Sequence, residues 1–518
     1  MKYSIAAAFA LTLTASGSGT ALAAPESTLK VALTADIRSS NPGINRDDNT
    51  DSVVLNVVEG LVGYGAGGDV RPLLAESVDV SDGGLTYTFR LRHGVKFHNG
   101  ADLTSADVLW NWQRYMTPST DWRCIGEFDG RSGLQVVSAE APDPSSFIMR
   151  INRPSALFLD ALARTDCGMT GIVHRSSLMA DGSWDKPIGT GPYEFSDWKR
   201  GRGVTLTRFK DYKSPAGAAD GYVGQKDPQI DIVQLDVIPD PATVKLAIAS
   251  RSIDVAQIMS SDMQELRSNS GIVTLASPDS SKHAILFRTE DPVIGDQKFR
   301  QAIAAALDYK QLVEATSDGL STPNDSAVFS GSVYFGAVQK KGVEFNLERA
   351  RKLLGESTYR GQTIKLIANK RSPMPSFQVA LVTQDMLKAI GVNVDIEVLE
   401  WATQLDRYNS GKYQMMSFSY SARLDPALSY EQFSGDKAKQ PRKVWDNPKA
   451  LELLQQSYYT TDPAIRRQLF DGLHEMMSTD VPLVLLYNGL TVWAHGKNVT
   501  GFAPWEGKMR LWSVKIGQ

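Results

Sequence analysis

Residues capable of covalent catalysis are scattered through this 518-residue sequence and form no recognisable motif. There is no G-x-S-x-G nucleophile turn, no phosphate-binding P-loop and no H-E-x-x-H metal motif. The histidines show no metal-ligand spacing and are interpreted as structural; they are His93, His98, His174, His283, His474 and His495. Carboxylate pairs such as Asp47-Asp48 are too common to indicate acid–base catalysis. The sequence therefore predicts a protein that is not an enzyme and has no cofactor or metal, with a periplasmic hydrolase as a distant alternative.

The two cysteines, Cys124 and Cys167, lack the C-x-x-C spacing of a metal or redox motif. In an oxidising compartment, two cysteines of one exported chain most simply form a single disulfide. Two buried free thiols are the alternative, because the separation of the cysteines in sequence does not decide between them. We predict a disulfide between Cys124 and Cys167.

The N-terminus has the pattern of a cleavable export signal. Lys2 is followed by an apolar stretch at residues 5–13 and by small residues, and residues 21–23 fit a small-x-small cleavage site. A buried helix or a membrane anchor is the alternative, but the apolar stretch is too short to span a bilayer. We predict a signal peptide at residues 1–24, cleaved after Ala23 or Ala24.

Charged residues are balanced and dispersed along the chain. Lys and Arg number 55 and Asp and Glu number 58, which gives a formal net charge of −3 at pH 7. Because no basic block is present, nucleic acid is not predicted as a partner.

Strand-like and helix-like patterns alternate throughout, which favours a mixed α/β architecture. Residues 86–92 alternate polar and apolar side chains, as a half-buried strand does. Thr104 precedes Asp107 by three residues, a spacing typical of a capping box at a helix start. Residues 378–390 have the apolar periodicity of a helix, and Gly391 predicts its end.

The segment at residues 75–108 resembles the signature segment of family 5 extracellular solute-binding proteins, the dipeptide- and oligopeptide-binding subunits of ABC importers. Further family-like blocks follow in the family's order, at residues 187–193, 231–239, 299–307, 390–395, 400–401 and 425–426. Together they extend the resemblance over essentially the whole mature chain.

The resemblance implies an α/β periplasmic binding protein fold of the large family 5, cluster C type, with two lobes, a cleft and two crossover segments. Lobe I would comprise residues 25–282, including an extra subdomain at roughly 70–190. Lobe II would comprise residues 283–488, and residues 489–518 would return to lobe I. Such a protein closes around its ligand by hinge motion. It would act in the periplasm as a monomer and deliver its solute to ABC permease subunits in the inner membrane.

One departure from the family pattern concerns the ligand. Dipeptide-binding relatives carry Trp-Thr-Gly-Asp just before the Asp-Pro step, and its Asp holds the α-ammonium of the peptide. The corresponding acidic position falls on Ala422 here, and Arg423 is next to it. This difference predicts discrimination against free-amine peptides.

The resemblance also implies that further charged residues lie at the cleft. An Arg that grips the ligand carboxylate in relatives aligns with Lys370 or Arg371, and Arg46 and Asp48 fall in a loop that lines the cleft. Arginine suits carboxylate or phosphate because its planar fork binds them in bidentate fashion. The alternative for each cation is a solvated side chain or a local ion pair, for example with Asp425 or Asp47.

The remaining candidate ligand contacts are mostly aromatic. Trp401 matches a Trp of the family, Tyr420 replaces a smaller Thr, and Phe128 lies in a loop that faces the cleft in relatives. Ser421 and Asp425 complete the candidate site beside them. A core position is the alternative for Trp401.

We therefore predict a periplasmic solute-binding protein for an anionic solute, either an opine or a sugar-phosphate conjugate of the agrocinopine type. A di- or oligopeptide, the usual ligand of the family, is the alternative.

Overall fold

The computed structural model describes residues 26–45, 47–371 and 374–517. The predicted signal peptide at residues 1–24 and the candidate residue Arg46 lie outside the described residues. Within the described residues, no helix combines the length and the apolar character needed to cross a membrane.

The strands are β1 (Thr28–Leu33), β2 (Val62–Tyr64), β3 (Val70–Pro72), β4 (Ala75–Ser81), β5 (Thr86–Leu91), β6 (Val136–Asp143), β7 (Ser146–Ile151), β8 (Tyr193–Lys199), β9 (Gly203–Arg208), β10 (Ile232–Val237), β11 (Val255–Ile258), β12 (Ile272–Phe287), β13 (Ile364–Ala368), β14 (Val394–Val398), β15 (Met415–Tyr420), β16 (Leu483–Gly496), β17 (Val499–Thr500) and β18 (Lys515–Ile516).

The α-helices are α1 (Asp48–Val54), α2 (Ser105–Tyr115), α3 (Phe158–Ala163), α4 (Pro241–Ala249), α5 (Met263–Arg267), α6 (Gln297–Ala306), α7 (Tyr309–Thr316), α8 (Leu347–Glu356), α9 (Ser376–Lys388), α10 (Trp401–Ser410), α11 (Pro426–Glu431), α12 (Pro448–Tyr459) and α13 (Pro463–Asp480). Short 3-10 helices lie at Pro118–Thr120, Ile125–Glu127, Thr165–Thr170, Arg175–Ser177, Ser260–Asp262 and Gln339–Lys341.

A mixed sheet of ten strands forms the centre of the molecule, in the order β14-β13-β15-β12-β16-β11-β1-β10-β9-β8. Strands β4, β5, β7 and β6 form a separate antiparallel sheet of four strands. The predicted α/β class is therefore confirmed.

Local sequence signals account for many element boundaries. The predicted strand at residues 86–92 is β5, and α2 begins at Ser105 with the predicted capping box. There the Asp107 carboxylate accepts a hydrogen bond from the backbone N–H of Thr104 at 3.0 Å. Several helices begin at an Asp-Pro or Asn-Pro step, because the acidic or amide side chain caps the helix and Pro has no N–H to leave unpaired; they are α4, α11, α12 and α13.

The buried apolar residues form clusters that separate along the chain. One pair of clusters draws on residues 29–272 and 492–514. The other pair draws on residues 284–487. This separation supports the predicted lobes, whose boundaries stay a prediction.

Strands β12 and β16 pass between the two groups of clusters and pair with each other in antiparallel fashion. Their pairing is interrupted between Pro278 and Lys282, which leaves residues 279–281 outside the ladder. Pro278 has no N–H to donate, so it favours such an interruption. Gly489 of β16 packs so closely against the side chains of Asp279 and Ser281 that a Cβ at this position would collide with them.

Candidate functional site

A cavity of about 380 Å³ lies beside the interrupted segment of β12. Its lining comes from Tyr64 of β2, Thr491 of β16, the start of α1, α3 with the 3-10 helix that follows, residues 279–281, the stretch from the loop after β15 into α11, and residues 506–508 before β18. We call it the acid-rich cavity because of the side chains that line it.

Carboxylates outnumber cations in this cavity. Its described acidic residues are Asp47, Asp48, Asp51, Asp160, Asp166, Asp279 and Glu506. Its described basic residues are Arg164, Arg423 and Lys508. No group of three or more His, Cys, Asp or Glu side chains in the described part of the chain is arranged to hold a metal ion. The excess of carboxylates suits a ligand that carries a positive group.

Glu506 and Asp279 meet at the interrupted segment of β12. One carboxylate oxygen of Glu506 accepts hydrogen bonds from the backbone N–H of Ser280 at 3.0 Å and from its hydroxyl at 2.7 Å. The Asp279 carboxylate accepts from the backbone N–H of Ser281 at 2.8 Å and from the Ser281 hydroxyl. Burial and the nearby Asp279 raise the pKa of Glu506 to about 7, and burial likewise raises the pKa of Asp279.

Lys508 connects this segment to α1. Its ammonium group lies 3.0 Å from the Asp48 carboxylate and donates to the backbone carbonyl of Glu506 at 3.3 Å. Burial lowers the pKa of Lys508, but the Asp48 and Asp51 carboxylates raise it by more, so the pKa of Lys508 lies above its ordinary value. Burial raises the pKa of Asp51 itself. Lys508 thus neutralises part of the acidic lining without contacting the Glu506 side chain.

Another part of the cavity lining comes from α3 and the segment after it. The Tyr64 hydroxyl donates to the Asp160 carboxylate at 2.8 Å. Arg164 makes two contacts of 3.0 Å to Asp166, and the Arg164 side chain is also paired with Glu127 at 2.9 Å. These arginine contacts keep the pKa of Asp166 below its ordinary value despite burial, whereas burial and Asp425 raise the pKa of Asp160.

Three candidate residues from the sequence lie together in the acid-rich cavity: Asp48, Ser421 and Arg423. Arg423 is half-buried and donates to the backbone carbonyl of Ala422 at 2.8 Å. The Ser421 carbonyl accepts from the Gln432 side chain at 2.9 Å, which holds this loop against the C-terminal end of α11.

Lys370 and Arg371 line a second, larger cavity of about 840 Å³. The Lys370 ammonium lies 4.4 Å from the centre of the Phe377 ring, and the Arg371 guanidinium lies 5.2 Å from the Trp401 ring. Trp401 is half-buried and stacks on Phe418 at 5.9 Å between ring centres. Trp401 therefore supports Arg371 and is not itself in the lining of this cavity.

The structure places the three described candidate cations in two neighbouring cavities. Arg423 lines the acid-rich cavity, whereas Lys370 and Arg371 line the second cavity. The two cavities have shared lining residues, which are Asp279, Ser281 and Thr491. A ligand that bridges both would contact the interrupted segment of β12.

Three other candidate residues lie outside the lining of both cavities. Phe128 is 0% exposed and packs between aromatic rings of the core, 5.6 Å from Trp122. Tyr420 is 4% exposed and packs against Phe418 at 5.2 Å. Asp425 caps α11 by accepting from the backbone N–H of Ala427 and forms a buried ion pair. In each case apolar packing or an internal partner takes up the side chain.

The predicted disulfide is confirmed: Cys124 and Cys167 are bonded, with their Cα atoms 5.7 Å apart. Cys167 lies in the 3-10 helix Thr165–Thr170, whose first two residues line the acid-rich cavity.

Sequence reasoning missed most of the acidic lining, including Glu506, Asp279 and Asp160. These residues come from separate parts of the chain and belong to no local motif. Pro278 inside a strand-like run was one available signal, because Pro within a strand marks an interruption.

Known proteins resemble this chain in sequence and in fold. The family model for bacterial extracellular solute-binding proteins, family 5 Middle, matches residues 69–471. Glutathione-binding protein GsiB of Escherichia coli O1:K1 / APEC is 26% identical over 486 residues, which cover 91% of each chain.

Among solved structures, HbpA2 from Haemophilus parasuis has a TM-score of 0.83 at 24% identity, covering 95% of this chain and 100% of that one. AgaA from A.tumefacien R10, in complex with agropinic acid, has a TM-score of 0.68 at 24% identity, covering 95% and 99%. These likenesses show a shared fold.

The fold and the cavity at the crossover strands define a periplasmic binding protein of the two-lobed class. Because the family model covers most of the described chain, the protein belongs to family 5 of the bacterial extracellular solute-binding proteins. It is a solute-binding protein of an ABC importer, and the predicted family is confirmed.

Proposed function

We propose that this protein captures a small peptide with a free ammonium group and a carboxylate, and delivers it to an ABC permease. The observation that carries the proposal is the acid-rich cavity, whose described lining has seven acidic side chains and three basic ones. The ammonium group would lie among the carboxylates. Arg423, or Lys370 and Arg371 in the second cavity, would receive the carboxylate.

Glutathione is the first compound to test, because it carries one ammonium group and two carboxylates and because GsiB is named as a glutathione-binding protein. A sugar phosphate fits less well, since its dianionic group would enter a cavity where acids predominate. An opine is the second candidate, favoured by the position of Arg423 in the cavity lining.

Capture would need no chemical step. We propose that the mature chain acts in the periplasm after removal of residues 1–24. Residues 25–282 and 489–518 would close against residues 283–488 through β12 and β16, and binding would favour the closed state. The protein would then act as a monomer that presents the closed form to the permease, with no enzymatic activity.

Titration of the mature protein with matched compounds tests this proposal. We expect glutathione or the dipeptide Ala-Ala to bind and to raise the melting temperature. At a ligand concentration of 100 times the Kd, binding should add about 2.7 kcal/mol to the free energy of unfolding. N-acetylated forms of the same compounds should bind much more weakly, because they lack the ammonium group. Binding of agropinic acid or glucose 6-phosphate without binding of any free-amine compound would contradict the peptide assignment.

Replacement of Arg423 by Ala should weaken peptide binding by about 2 kcal/mol, as for the loss of a buried charge-assisted contact. Isothermal titration calorimetry would measure the change, and Arg371→Ala is the matched variant in the second cavity. A loss in only one of the two variants would show which cavity holds the carboxylate. Unchanged affinity in both would remove these arginines from the site.

A further inference from the structure

One carboxylate oxygen of Glu506 accepts hydrogen bonds, and the other accepts none from the described residues. Oε2 accepts both hydrogen bonds from Ser280, whereas Oε1 is buried and has no hydrogen-bond partner among the described residues. Glu506 is 8% exposed and lines the acid-rich cavity. A buried acceptor without a donor is unfavourable, and a ligand N–H would satisfy it.

The lysines near Glu506 do not supply that donor. The Lys508 ammonium donates to the Asp48 carboxylate and to the Glu506 backbone carbonyl. Lys282 is 3% exposed, its ammonium nitrogen has no hydrogen-bond partner among the described residues, and burial lowers its pKa to about 7.

Other charged groups line the same cavity as Glu506 or, in the case of Lys282, interact with its charge. They are Asp279 and Lys282 of β12, Asp47, Asp48 and Asp51 at α1, Asp160, Arg164 and Asp166 at α3 and its following turn, Arg423 after β15, and Lys508.

We infer that the carboxylates of Glu506 and Asp279 together form the receptor for the ammonium group of the solute. This inference rests on the proposed function and names the atoms that recognise the amine. Both carboxylates are oriented by the same interrupted segment, Glu506 through Ser280 and Asp279 through Ser281. A primary ammonium has three N–H donors, so one can meet Oε1 of Glu506 while another meets Asp279.

The receptor should couple binding to a proton. Without a cation, burial and Asp279 raise the pKa of Glu506, so this carboxyl holds a proton in mildly acidic solution. An ammonium group favours the ionised form and lowers that pKa, so binding below neutral pH must release the proton. Affinity should therefore fall by up to tenfold for each pH unit below about 7, and it should fall again above the pKa of the solute's own ammonium group, about 8 for a peptide α-amino group.

A small amine tests the receptor independently of the peptide. Methylammonium chloride should raise the melting temperature of the mature protein at pH 8 relative to equal concentrations of tetramethylammonium chloride, which has no N–H donor. Glu506→Gln and Asp279→Asn should reduce that difference, whereas Glu140→Gln, an exposed change on β6, should retain it. Equal effects of both cations on the wild-type protein, or an undiminished difference in Glu506→Gln, would overturn the inference.

The variant should fold, because Gln keeps an oxygen acceptor for Ser280. Without ligand, Glu506→Gln should melt at a higher temperature than the wild type at pH 8 and at about the same temperature near pH 5. A carboxyl with a raised folded-state pKa contributes stability at low pH that is lost as the pH rises through that pKa. A melting-temperature difference that does not change with pH would count against a proton held at Glu506.

Peptide titration separates the two proposals. If the methylammonium effect depends on Glu506 but no free-amine peptide binds, the receptor is supported and the peptide function is overturned. If glutathione or Ala-Ala binds Glu506→Gln as tightly as the wild type, the peptide function stands and the receptor is overturned. At pH 8, the expected result is that Glu506→Gln binds the peptide at least tenfold more weakly than the wild type does. Proton release by the wild type on binding below neutral pH is measured by calorimetry in buffers of different ionisation enthalpy.

Discussion

Removing either partner of the buried ion pair between Arg466 and Asp425 should destabilise the protein by about 3–5 kcal/mol, because the remaining charge would be buried without compensation. The Arg466 guanidinium donates to both Asp425 oxygens, at 2.8 and 2.9 Å, and Arg466 and Asp425 are 4% and 7% exposed. The guanidinium also donates to the Ser457 carbonyl at 3.2 Å. Urea unfolding of Arg466→Met and Asp425→Ala measures the effect.

A surface pair provides the matched control. Arg90 and Asp79 are 3.3 Å apart, and their side chains are 61% and 63% exposed. Arg90→Met should cost less than about 1 kcal/mol. The double variant of Arg466 and Asp425 should lose less stability than the sum of the losses in the two single variants. Each single variant also includes the cost of leaving the remaining charged partner buried and unpaired. If each single variant has a free energy of unfolding within 1 kcal/mol of that of the wild type, the ion pair between Arg466 and Asp425 does not stabilise the protein as expected.

This ion pair engages both carboxylate oxygens of Asp425. Asp425 caps α11, and the loop directly before it carries Ser421 and Arg423 into the acid-rich cavity. The Asp-Pro step therefore fixes where that loop ends and the helix begins. Weakened solute binding in an Asp425 variant is expected to follow from loss of this anchor.

Local patterns were sufficient to predict much of the fold. The alternation at residues 86–92 gives β5 because every second side chain packs into the core. α9 ends at Lys388, three residues before Gly391, and Gly391 lies in the turn that follows with a φ of +85°, a conformation that glycine adopts without strain. The order of the family-like blocks then supplied the overall topology, which local periodicity alone does not contain.

The candidate site was only partly predictable, because its charge balance depends on long-range contacts. Ser280 and Glu506 are separated by 226 positions, and no local pattern links them. The absence of an acid at Ala422 therefore predicted an anionic ligand, whereas distant segments bring seven carboxylates into the same cavity. One aligned position does not determine the electrostatics of a pocket built from seven segments.

The packing of two candidate aromatic residues was not predictable for a related reason. The alignment put Phe128 and Tyr420 in segments near the cleft, but it did not specify which way each ring points. Phe128 packs with Trp112 at 5.3 Å, and Tyr420 packs with Phe433 at 6.0 Å. Large rings bury much apolar area, so core packing determines their direction wherever a core is within reach.

Removing the disulfide, by replacing both Cys124 and Cys167 with Ala, should destabilise the protein by about 4 kcal/mol. The bond closes a loop across a separation of 43 residues, which restricts the unfolded chain by about this amount in the loop-entropy description. The Cys124 and Cys167 side chains lie in the core, where the Trp122 indole donates to the Cys167 carbonyl at 3.1 Å. The folded chain should persist, because this packing does not depend on sulfur.

Urea unfolding of the double variant should match that of the wild-type protein under reducing conditions, and reductant should not affect the variant. Stability equal to that of the oxidised wild type would contradict the prediction.

The effect of the disulfide on solute binding should be smaller, because ion pairs join the same two segments. Arg123, next to Cys124, contacts Asp166 at 2.8 Å, and Arg164 contacts Glu127 at 2.9 Å. These pairs can hold Thr165 and Asp166 at the cavity after the bond is lost. Peptide affinity of the double alanine variant should therefore fall by only a few fold, while Asp166→Asn in the same background should weaken binding further. If the affinity collapses in the double variant alone, the disulfide, and not the ion pairs, positions this side of the cavity.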